Sequence, residues 1–153
     1  MMRKVIVDSD AIHFTTNFQS PFHTLETGKR ALDDDVRIEM GNKLSLMGLF
    51  ENIFFQGFPS VLLKFAVVNH WVGNGQFETH VKILAPDRKE VVVSIPSKFS
   101  IETNGYADNV TFFTNVSFER AGAHIIQIYI DGNIAAERTL YVHHVAAPPA
   151  TVN

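Results

Sequence analysis

The sequence predicts an all-β chain folded as a two-layer antiparallel β-sandwich, with a small β-barrel as the alternative. Three observations lead there. Apolar and polar residues alternate with a period of two through most of the chain, and no stretch carries a sustained 3.6-residue apolar stripe. Turn residues such as Asn74-Gly75, Pro86-Asp87 and Asp131-Gly132 recur between the alternating runs, as antiparallel hairpins require. Thirteen phenylalanines among 153 residues supply side chains of the kind that pack on a pleated surface.

Taken in order, Val5-Ile6-Val7 opens a first strand that runs towards Phe14. Residues 15–35 are polar, hold Pro21 and Gly28, and end in Asp33-Asp34-Asp35; they read as a long loop or insertion with at most one short helical turn. Residues 36–40 and 44–50 form a strand and its return around Gly41-Asn42-Lys43. Residues 51–58 carry Ile53, Phe54, Phe55 and Phe58 and stop at Pro59, which cannot donate to a ladder and marks an edge or a crossing between sheets. Residues 61–72 make a long apolar strand. Asn74-Gly75 suits a type I′ turn, and residues 77–84 return with Phe77, Thr79, Val81 and Ile83 on one face. Pro86-Asp87 then leads into a strand over residues 90–95, and residues 97–109 are irregular and polar. Strands over 110–118, 124–130 and 134–142 complete the set, with Ile126, Ile128 and Ile130 in one row. Residues 1–145 are expected to form one domain, and 146–153, with Pro148-Pro149, a flexible C-terminal tail.

Composition excludes several functions. With 46% hydrophobic and 19% charged residues the chain has the makeup of a globular domain. A net charge of -3 offers no basic field for a phosphate backbone, so no nucleic-acid partner is expected. The absence of cysteine removes disulfides, thiolate zinc sites and cysteine nucleophiles, and fits a cytoplasmic location. The apolar run at Val5-Ile6-Val7 is shorter than the roughly 7–15 residues of a signal segment. No run approaches the roughly 20 apolar residues of a membrane helix, so no membrane association is expected.

Two parts of the chain carry a resemblance. Phe118-Glu119-Arg120-Ala121-Gly122-Ala123-His124, followed by Ile125-Ile126-Gln127-Ile128-Tyr129-Ile130-Asp131-Gly132, resembles the penultimate strand and final hairpin of immunoglobulin-like domains, with His124 where Tyr is usual. Asp8-Ser9-Asp10-Ala11, then Gly41-Asn42-Lys43-Leu44-Ser45-Leu46-Met47-Gly48-Leu49-Phe50, Ile53 and Phe58-Pro59, is similar to a family of uncharacterised bacterial proteins. Those chains read as a strand with Asp and Ala, a Gly-Lys-Leu-x-Leu-x-Gly segment and a Phe-Pro before a long strand. The resemblance covers most of residues 4–143 and implies an immunoglobulin-like β-sandwich of unknown function, with no catalytic residues to transfer.

Candidate chemistry is sparse. His70 and His80 flank Asn74-Gly75, and a symmetric hairpin would face them across two strands, where two imidazoles with Glu78 or Asp87 can hold zinc. A one-residue change of register separates them, and no four-ligand set is visible, so no metal and no cofactor is assigned. Trp71, with Phe77 across the same hairpin, offers an aromatic platform for sugar, although a Trp in an apolar strand is more often core. His124 reads as a packed or capping group at a strand start, and His143-His144 as a surface pair. Asp33-Asp34-Asp35 lacks the spacing of a calcium loop, and Asp8 with Asp10 reads as turn chemistry. The glycine patterns of nucleophile elbows and phosphate loops are absent.

The expected function is therefore a non-catalytic interaction or assembly module that self-associates or binds another protein. The alternative is a small-ligand or carbohydrate-binding domain using Trp71, His70 and His80. A metal-dependent enzyme comes last.

Overall fold

Every regular element in the computed structural model is a β-strand; it describes residues 17–20, 23–39 and 43–150, with side chains from Phe50 to Ala150 except that of Asn104. The strands are β1 (Asn17–Ser20), β2 (His23–Glu39), β3 (Lys43–Leu49), β4 (Asn52–Phe55), β5 (Ser60–Leu84), β6 (Glu90–Val93), β7 (Ser97–Phe118), β8 (Gly122–Ile130) and β9 (Asn133–His144). They join in one sheet whose main path is β1-β2-β5-β8-β9-β4, with β3 on β2 and β6 and β7 on β5. Among the described residues the path ends at β1 and β4 and does not close, so the sheet is open rather than a barrel. It is also mixed: the ladders are antiparallel except that β4 runs parallel to β9, where an all-antiparallel arrangement was expected.

The largest correction concerns β5. Asn74-Gly75 is not a hairpin turn; the chain continues through it as one strand of 25 residues. The partner is β7, which pairs with β5 from Ser60↔Phe118 to Thr79↔Ser97. A turn preference is a local effect of small size, and a ladder of this length, with core side chains on both sides, overrides it. What remains of the turn signal is a bulge: Gly73 pairs Gly105 and Gly75 pairs Ile101, so residues 102–104 of β7 stand against Asn74 alone. Residues 97–109, expected to be irregular, are thus half of β7.

Residues 15–35, expected to be a loop, supply β1 and most of β2. β2 pairs β1 near its start, β5 from Thr24 to Asp33 and β3 from Asp33 to Glu39, with a register shift around Gly28. Its sequence, Thr24-Leu25-Glu26-Thr27-Gly28-Lys29-Arg30, has no alternating apolar face. Backbone pairing on both edges does not require one.

β5 links two sets of neighbours. Its first half lies between β2 and β7; past the bulge, β8 takes over one edge, from Thr79↔Ile130 to Leu84↔Ile125. The core-facing residues of the first half include Phe65, Val67 and Trp71, and those of the second Phe77, Val81 and Ile83, all at most 3% exposed. Ile126, Ile128 and Ile130 of β8 and Leu140 and Val142 of β9 complete the same cluster. Phe118 of β7 joins the two parts, its ring packing on Phe55 of β4 at 5.9 Å and on the edge of His124 of β8 at 5.2 Å. Asn115, at φ 53°, changes which residues of β7 face inward: Phe113 is buried before it, and Val116 and Phe118 after it. Asn tolerates this backbone region better than other non-glycine residues.

Candidate functional site

The structure does not bring Trp71, His70 and His80 together. Trp71 has no exposed surface and stacks on Phe99 at 6.1 Å, so its ring is core and presents no platform to a sugar. His70 lies on the opposite, outer face of β5, where Nδ1 is 2.6 Å from Oδ1 of its register partner Asp108 and the ring tilts against Tyr106 at 5.4 Å. His80 is ten residues further along the same strand, about 33 Å of extended chain before bending. Its partner is Tyr129 of β8. The hairpin that was to face the two imidazoles does not exist, and the zinc arrangement goes with it. Of the two carboxylates, that of Asp87 is engaged elsewhere, accepting from Arg120 at 2.5 Å. Among the described residues no group of three His, Cys, Asp or Glu is placed to hold a metal ion. Asp8 and Asp10 lie outside the described residues.

His124 is 1% exposed, its Nδ1 3.2 Å from the Gly122 carbonyl oxygen, packed as expected at the start of β8. Burial holds its imidazole below the usual histidine range. The Gly122 carbonyl and the Asp87 carboxylate oppose this, while the Arg120 guanidinium adds to it.

The more substantial surface is on β9 and β4, where the sheet path ends among the described residues. Tyr141 and His143 lie on the outer face of β9, opposite Asn52 and Phe54 of β4, while their neighbours Val142 and Ile53 point into the core. The Phe54 ring stacks on His143 at 4.8 Å with planes 16° apart, and Tyr141 stacks on His143 at 6.4 Å. Nε2 of His143 is 2.8 Å from Asn52 Oδ1, which orients the imidazole. Phe54 is 62% exposed and Tyr141 47%. Beside this row is a groove of about 470 Å³ lined by Glu51, Arg88, Ile125, Glu137, Arg138 and Tyr141, among others. Arg138, mostly buried, pairs with Glu51. The arrangement offers ring faces, hydrogen-bonding groups and both signs of charge: recognition chemistry, with no nucleophile held against a base.

Reading the sequence alone missed this surface because β4 meets β9 across about ninety residues, in a parallel pairing that no turn announces. The available signal was the alternation of Tyr141 and His143 with Leu140 and Val142, which places both rings on the outward face.

Residues 31–143 match the model of DUF6941, a family of unknown function. No curated protein matches the chain in sequence. Among solved structures, it is similar to a β-glucosidase from Listeria innocua, in complex with glucose (TM-score 0.49) and with isofagomine (TM-score 0.47). Each is 8% identical, and the match covers 82% of this chain and 16% of the other. It is also similar to the Pseudomonas fluorescens alkylpurine DNA glycosylase AlkC bound to DNA containing an abasic site analog, with TM-score 0.45, 8% identity, and coverage of 60% of this chain and 27% of that one. The chain thus spans only a minor part of each of these proteins. Among its described residues no helix is long and apolar enough to cross a membrane.

Proposed function

The chain belongs to the DUF6941 family, whose function is unknown, and from that premise we propose that it is a non-catalytic interaction module that associates with a second copy of itself. The supporting observation is Phe54, a large apolar side chain 62% exposed on β4, the strand that ends the sheet path among the described residues. An exposed apolar side chain on a terminal strand is a feature that a partner chain covers. Its ring already stacks on His143, so an aromatic side chain from a second copy extends an existing row. Two β4 strands related by a two-fold axis make a self-complementary contact, the arrangement most homo-oligomers use. The reading takes the sheet as an immunoglobulin-like sandwich working in a bacterial cytoplasm, with protein as partner and no nucleic acid, membrane or cofactor. Sedimentation equilibrium tests it. The expected result is a concentration-dependent dimer that Phe54→Ser, a change at an exposed position, returns to monomer. A strict monomer before any substitution overturns it.

The groove beside Tyr141 favours a second reading, a small polar ligand held between Arg88, Glu137 and Arg138. A thermal-shift screen of monosaccharides and short glycans, repeated with Tyr141→Ala, tests that reading. A shift that the substitution abolishes supports it, and no shift with any of them rejects it.

A further inference from the structure

The inner face of the β5–β7 ribbon carries a pair of carboxamides in a mostly apolar row. Reading across register partners, Phe65 faces Phe113, Val67 faces Thr111, Asn69 faces Asn109 and Trp71 faces Ala107. Direct partners in an antiparallel pair share a face, so Asn69 and Asn109 stand side by side between Val67 and Trp71. Asn69 is 1% exposed, and neither its Nδ2 nor its Oδ1 has a hydrogen-bond partner in the protein; nor does Oδ1 of Asn109. Asn69 is buried and Asn109 half-buried with its Oδ1 enclosed, and the two carboxamides do not bond to each other.

Native interiors rarely leave such groups unpaired, and where protein supplies no partner an ordered water does. A carboxamide donates and accepts, and so does water; a guest that only donates or only accepts satisfies half of each amide. Ala107 and Thr111, the same-face neighbours of Asn109 on β7, are small side chains that flank the pair. We infer that Asn69 and Asn109 form an internal hydration site, binding ordered water between β5 and β7 beside the Trp71 ring. Trp71 is the one tryptophan of the chain, so its fluorescence reports on this position alone.

The test uses the intact, isotope-labelled protein. Cross-relaxation from long-lived water to the Nδ2 protons of Asn69 and Asn109 is the expected result. Its absence at both carboxamides overturns the inference, whatever any variant does. A second measurement replaces both residues, Asn69→Leu with Asn109→Leu, which removes the polar groups together. The folded double variant is expected to emit at shorter wavelength than the natural chain and to lose the sensitivity of Trp71 emission to deuterated solvent. Unchanged emission in that variant counts against the inference.

Discussion

His80 lies face to face with Tyr129, ring centroids 4.4 Å apart and planes 11° from parallel, at directly opposed positions of β5 and β8. Tyr129 is the hub of a chain of contacts: Lys82 sits over its ring at 5.5 Å, its hydroxyl donates to Gln127 Oε1 at 3.0 Å, and Gln127 Nε2 donates to Glu137 at 2.7 Å. Gln127 is only 5% exposed, so the network gives a nearly buried amide its partners. The outer face of β8 is therefore held by rings and hydrogen bonds, where the inner face is held by its isoleucines.

Tyr129→Phe keeps the stack and removes the hydroxyl. It leaves Gln127 Oε1 unpaired in a buried setting, a loss of about 1–3 kcal/mol. His80→Ala removes the stack, about 0.5–1.5 kcal/mol beyond the area lost. Urea unfolding of His80→Ala, Tyr129→Ala and the double variant measures the coupling of the two rings, with Tyr129→Phe separating out the hydroxyl. Strictly additive losses would show that the stack contributes nothing.

Asp87 sits in the turn between β5 and β6. Partial loss of solvation raises its carboxyl, but the Lys89 amide and the Arg120 guanidinium outweigh that and hold it below the usual carboxylate value. A carboxyl depressed in the folded state adds stability that is present above the unfolded value of about 3.9 and is lost as pH falls through the folded value. The urea midpoint of the natural chain is therefore expected to fall more steeply below about pH 4 than that of Asp87→Asn. Parallel curves would show that the carboxylate is silent.

His124 acts in a higher pH window and for the opposite reason. Burial favours its neutral form, so the folded chain binds a proton less readily than the unfolded one. Its contribution is fully present above the unfolded value of about 6.5 and declines as pH falls from there towards the lower folded value. His124→Phe, which keeps a ring against Phe118, is expected to weaken the fall in stability between about pH 7 and about pH 5. Circular dichroism melts across that range check it, and an unchanged slope assigns the dependence to another group.

The second half of the chain was the readable half. Asp131-Gly132 makes the expected two-residue turn, with Ile130 paired to Asn133 and φ of 47° and 80°, the pattern of type I′. The Ile126, Ile128 and Ile130 row is buried as its alternation implies. Such features are local: side-chain period and turn chemistry act within a few residues. The same locality misled at Asn74-Gly75, where turn residues occupy a bulge because β7 continues alongside. It also concealed β2, whose backbone is paired on both edges while its sequence lacks an apolar face. Of the candidate surface, the residues were visible as members of strands, but their meeting was not. Phe54 and His143 come together only through a parallel pairing between distant segments.

Gly122, the first residue of β8, gives the sharpest stability test. Its φ is +133°, a backbone region that L side chains rarely adopt, and a methyl group added there meets Pro86 Cγ at 2.8 Å. Gly122→Ala therefore combines backbone strain with overpacking against a rigid ring, and the two together are expected to cost about 2–4 kcal/mol. The obstacle on the ring side can be lifted separately. Pro86→Ala removes Cγ, so in that background the same Gly122→Ala change retains only the backbone component, about 1–2 kcal/mol. Urea unfolding of the single and double variants reads the difference. An equal cost in both backgrounds would show that the chain between β7 and β8 moves aside freely and that Pro86 does not pin it; a smaller cost without the ring locates the constraint at this contact between the two turns.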